Sequence, residues 1–79
     1  MMKQTCQIWK KPDGTPVSCT EKIMVLNENY QEIRELLQEA FDDAILMGCS
    51  KAQVREIYAD LVNSIEFTYS EQTTKGEKK

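Results

Sequence analysis

The side chains able to do chemistry in this 79-residue chain are three cysteines and a run of carboxylates, and histidine is absent. Without imidazole there is no Ser-His-Asp triad, no Cys-His pair and no histidine metal ligand. Cys6, Cys19 and Cys49 form no C-x-x-C pair, the spacing that zinc sites and thioredoxin-like chemistry use. A tetrahedral zinc site needs four ligands, so three thiolates would have to borrow a carboxylate or a second subunit. The expectation is buried, reduced structural thiols, with a thiol or metal switch through the three cysteines as an alternative. Asp42 and Asp43 are adjacent, so on a helix they point about 100° apart and are poorly placed to share a metal ion. Gly14, Gly48 and Gly76 lie too far apart for a phosphate-binding loop. The chain is expected to be no enzyme, with no cofactor and no metal centre.

What remains is surface chemistry. Residues 28–43 carry Glu28, Glu32, Glu35, Glu39, Asp42 and Asp43 against Arg34 alone, a local charge of −5. Glu32, Glu35, Glu39 and Asp43 make an acidic face, and such a run is most often simply a solvated helix face. The competing readings are a docking surface for a basic protein partner and a carboxylate cluster binding a cation. Trp9, the only tryptophan, is either core or, if accessible, part of a partner-binding surface. The leading functional expectation is a small interaction module or accessory protein working through protein–protein contacts.

The elements that must position these residues fall into three regions. Residues 1–26 are β-like and basic, with Lys3, Lys10, Lys11 and Lys22 against Asp13 and Glu21. Lys11-Pro12-Asp13-Gly14 carries turn chemistry at each position: Pro presets φ, Asp suits the third place and Gly accepts positive φ. Flanked by residues 5–10 and 15–19, it predicts a β-hairpin. Pairing Lys10 with Thr15 sets Ile8 against Val17 and Cys6 against Cys19, giving the cleaner apolar face. A bulged register would instead set Trp9 against Val17 and Gln7 against Cys19. The first register is preferred, and it brings Cys6 and Cys19 within bonding distance under oxidation. The apolar run Lys22-Ile23-Met24-Val25-Leu26 reads as a continuation of the second strand or as a third strand.

Two helices follow. Asn29 with Glu32 suggests a capping box, after which Tyr30, Ile33, Leu37, Ala40, Phe41 and Ala44 recur at helical spacing, with Leu36 and Met47 widening the stripe. Gly48 stops this helix, and Ser50 with Gln53 caps the next. Val54, Ile57, Tyr58, Leu61, Val62 and Ile65 carry the second stripe. The two helices span about 29–47 and 51–65. Residues 65–69 alternate as a strand does, although no Gly or Pro prevents the helix from running on.

Residues 44–57 resemble the helix-turn-helix pattern: Ala44 lies four positions before Gly48, apolar Cys49 follows it, and Val54 and Ile57 lie six and nine positions on. A small residue permits close approach, Gly the sharp turn, and Ser50 caps a second helix. The resemblance implies a DNA-binding regulator with Lys51, Gln53 and Arg55 reaching bases or phosphates. Electrostatics weigh against it, because duplex binders display a basic face. This chain has a net charge of −3.

The predicted fold is thus α+β: an N-terminal antiparallel β-hairpin, extended by a strand from 22–26 or 65–69, packed on a two-helix unit. Residues 1–69 form one domain and 70–79 a disordered polar tail. An uncovered strand edge or helix face points to dimerisation. No apolar run reaches signal-peptide or membrane-spanning length, so a soluble, cytoplasmic protein is expected, with neither nucleic acid nor membrane as partner.

Overall fold

The computed structural model describes residues 7–71 and contains two helices among them, α1 (Thr20–Leu46) and α2 (Lys51–Ser64). Packing groups the described residues into two units, 7–31 with 69–71, and Glu32–Thr68.

In the first unit the turn forms as its residues dictate. Gly14 N–H donates to Lys11 O at 2.8 Å with Gly14 at φ +92°, and Asp13 Oδ1 accepts from both the N–H and the hydroxyl of Thr15. Lys11 N–H then donates to Thr15 O and Val17 N–H to Trp9 O, each at 2.8 Å. This is the bulged register, with Trp9 opposite Val17, and the preferred pairing of Lys10 with Thr15 is overturned. The α+β expectation itself fails. The described residues contain no strand, only an isolated bridge between Lys10 and Pro16. Pro16 has no N–H to give a ladder, and three residues after Val17 the chain has already entered α1.

Residues 22–26 belong to that helix and not to a strand. A short apolar run does not distinguish the two by periodicity. Lys22, Met24 and Leu26 are good helix formers, and Glu21 suits the positive end of the helix dipole. Ile23 N–H donates to Cys19 O at 3.0 Å, which starts the ladder. Asn29 and Glu32, read as a capping box, are interior to α1. Ile23, Leu26 and Asn27 are half-buried at helical spacing, and Asn27 accepts the Trp9 indole N–H at 2.7 Å.

In the second unit the helical hairpin stands as expected. Gly48, at φ +99°, donates to Ile45 O while Cys49 N–H reaches back to Ala44 O, both at 3.0 Å. That pair of bonds is a Schellman termination. Ser50 sits extended at the N-cap of α2 and accepts from Gln53 N–H at 3.0 Å. Phe41 and Tyr58 stack across the hairpin at 5.3 Å, and Val54 is the buried residue at 3% exposure. At the far end, Ile65 is an extended cap (φ −74°, ψ 130°), so α2 stops there, and residues 65–69 form neither helix nor strand. With no sheet edge among the described residues, the strand-pairing route to a dimer has no structural basis. Cys6 and residues 72–79 lie outside the described residues, so the Cys6–Cys19 pairing and most of the expected tail do too. No helix among the described residues is long and apolar enough to cross a membrane.

Candidate functional site

The second unit has two unlike sides, and helix geometry separates them. On one side Gln38, Phe41, Asp42 and Ile45 of α1 and Lys51, Val54 and Arg55 of α2 line an open concavity of about 240 Å³. The Arg55 guanidinium carbon lies 5.6 Å from the Phe41 ring centroid, a cation–π distance, and Gln38 Nε2 donates to Asp42 Oδ1 at 3.3 Å.

The other side follows by rotation. Two residues along a helix is a turn of about 200°, the opposite direction. Leu36 and Ala40 stand two residues from Gln38 and Asp42, and Ile57 stands two residues from Arg55. The three therefore share the side facing away from the concavity. Ile33, three residues before Leu36, and Leu61, four after Ile57, extend the same rows. Ile33 is 57% exposed, Leu36 69%, Ile57 51% and Leu61 50%. These members of the apolar stripes read as core in the sequence, yet on α1 the half-buried members are Leu37, Ala40, Phe41 and Ala44, while Ile33 and Leu36 stay exposed. The width of the α1 stripe, with Leu36 added to Ile33 and Ala40, is the signal that one partner helix is too few.

Glu32, Glu35, Glu39 and Asp43 are exposed on α1, within a sector of about 80° that lies away from Phe41 and borders Leu36. On α2, exposed Asp60 lies about 60° from Ile57 and borders it in the same way. Trp9, the other proposed contact, belongs to the first unit, half-buried with its N–H occupied by Asn27.

The residues suggested for DNA are placed otherwise. Lys51 and Arg55 line the concavity together with Asp42, while Gln53 lies at the start of α2, its backbone N–H held by Ser50. Of the thiols, Cys19 and Cys49 are free and exposed, not buried. The backbone N–H of Lys22 holds the Cys19 thiol below its ordinary range. Slight desolvation opposes this, and the Glu21 N–H and the Lys22 charge reinforce it. Among the described residues no three Cys, Asp or Glu side chains gather as a metal site would require.

No protein-family model, curated protein or solved structure matches the chain.

Proposed function

We propose that the chain is a non-enzymatic interaction module whose second unit engages another protein through the face formed by Ile33, Leu36, Ala40, Ile57 and Leu61. One observation carries this: at helical spacing on two adjacent helices, four large aliphatic side chains are each at least half exposed while, among the described residues, Val54 alone is buried. Burying one such side chain contributes roughly 1.5–3 kcal/mol. A domain this small has little else to stabilise it, so a partner that covers the row gains what the hairpin leaves unsatisfied.

The test is a paired substitution, Leu36→Gln with Ile57→Gln, at positions exposed enough for the hairpin to survive. Helical circular dichroism should be retained. A partner recovered from the source cell in stoichiometric amount by the unaltered chain should be lost with the variant and kept by Gln38→Ala on the opposite side. Equal recovery by both variants would refute the reading. On the same reading, random-sequence duplex should show no salt-sensitive retardation in a gel at physiological ionic strength.

A further inference from the structure

We infer that the occupant of this face is a cationic amphipathic helix of another protein, not a second copy of the chain; the inference rests on the interaction reading above. Two features select it. The first is charge. Glu32, Glu39 and Asp43 flank the α1 row and Asp60 flanks the α2 row, all exposed. The unit's basic residues are Arg34, Lys51 and Arg55. Arg34 and Arg55 stand two residues from Leu36 and Ile57, about 200° away, and Lys51 lines the concavity. The apolar rows are thus rimmed by carboxylates, with the cations turned to the other side. A second copy laid face to face would bring carboxylates against carboxylates, whereas a helix with Lys or Arg beside its apolar stripe would meet opposite charge on both rims.

The second feature is size. At about 100 Å² of apolar surface per large side chain, the uncovered fraction of Ile33, Leu36, Ile57 and Leu61 amounts to roughly 200 Å². A standard interface buries about 800 Å² on each partner, roughly four times what these four side chains offer. One helix anchored by side chains at i, i+3 or i+4, and i+7 is the occupant that two short rows accommodate.

The probe is a fluorescent helical peptide of about 14 residues built from Leu and Lys with all Leu on one face. A scrambled Leu/Lys peptide of equal charge and an amphipathic Leu/Glu peptide are its controls. The expected result is saturable binding of the amphipathic Leu/Lys peptide, at least about tenfold tighter than the scrambled one. Binding should weaken about tenfold between low and high salt, where the screening length shrinks from roughly 30 to 3 Å. It should weaken comparably in a Glu32→Lys, Asp43→Lys, Asp60→Lys triple variant, whose exposed positions leave the helices intact, and in the Leu36→Gln, Ile57→Gln variant. Equal binding of scrambled and amphipathic Leu/Lys peptides overturns the inference, as does equal binding of Leu/Lys and Leu/Glu. Self-association in sedimentation that disappears with Leu36→Gln, Ile57→Gln also overturns it, by making the occupant a second copy, while leaving the interaction reading intact. If those two substitutions alter no association of any kind, both the inference and the interaction reading fall.

Discussion

Phe41 and Tyr58 stack with ring centroids 5.3 Å apart and planes 24° from parallel, one ring from each helix of the hairpin. Beside them Arg55 places its guanidinium carbon 5.6 Å from the Phe41 centroid, so one ring receives an aromatic neighbour and a cation together. With Val54 as the buried residue, this cluster is the main source of cohesion between α1 and α2.

Phe41→Leu should therefore cost more than its small loss of area. It retains an apolar side chain but forfeits a stack worth about 0.5–1.5 kcal/mol and an exposed cation–π contact worth about 0.5–1 kcal/mol. A double-mutant cycle between Phe41→Leu and Tyr58→Leu, read by urea unfolding, should return a coupling of about 1 kcal/mol. A coupling near zero would mean that the rings merely share a volume.

The turn between the helices should be sensitive at two positions for different reasons. A Cβ on Gly48 would meet nothing within 4 Å, so Gly48→Ala carries no clash. Its cost is that of forcing φ near +99° on a residue with a Cβ, about 1–2 kcal/mol. Gly48→Asn should be milder, because Asn tolerates positive φ. Ser50→Ala removes the acceptor for Gln53 N–H and should cost about 1 kcal/mol. Melting curves of the three variants should rank Asn above Ala at position 48.

What the residues disclosed and what they hid divide by range. Gly48, Ser50 and the Lys11-Pro12-Asp13-Gly14 turn were legible because each acts through bonds to neighbours within four residues. The start of α1 was not. Ile23, Met24, Val25 and Leu26 suit a strand or a buried helix turn, and the turn at Lys11-Pro12-Asp13-Gly14 outweighed the one local helix-start signal, Ser18 with Glu21 at capping-box spacing. The hairpin register misled because the apolar alternation of Ile8 and Val17 favoured one pairing, while the bulge after Gly14 imposed the other. The acidic sector of Glu32, Glu35, Glu39 and Asp43 could be read from spacing alone. The exposed row of Ile33, Leu36, Ile57 and Leu61 could not, since a stripe shows which side chains seek cover and not how many a single neighbouring helix provides.

In the first unit, Trp9 reports on its bond to Asn27. The indole N–H donates to Asn27 Oδ1 at 2.7 Å across a sequence separation of 18 residues, so the bond holds the turn segment against α1. Asn27→Ala should free the sole tryptophan, shifting its emission to the red and raising its quenching by acrylamide. Trp9 is only half-buried, so water can replace the lost acceptor and the stability cost should stay near about 1 kcal/mol. Unchanged emission and quenching would show that packing alone, without the hydrogen bond, fixes the ring.

Cys19 should be more fully thiolate in the folded chain than in the unfolded one. Its pKa is lowered first by the backbone N–H of Lys22, then by that of Glu21 and by the Lys22 charge, against slight desolvation. Thiolate character at a helix start raises reactivity at neutral pH. In a Cys6→Ser, Cys49→Ser chain, the alkylation rate of Cys19 by iodoacetamide should rise at lower pH in the folded protein than in urea, where the helix start is gone. Because the leading cause is a backbone N–H, Lys22→Gln should move this profile only slightly. The sign for stability follows: a folded pKa below the unfolded one adds stability that is fully present above the unfolded value and is lost as pH falls through the folded one. The contribution therefore appears only on the alkaline side. Coincident folded and urea profiles would show that the N–H groups of α1 do not stabilise the thiolate.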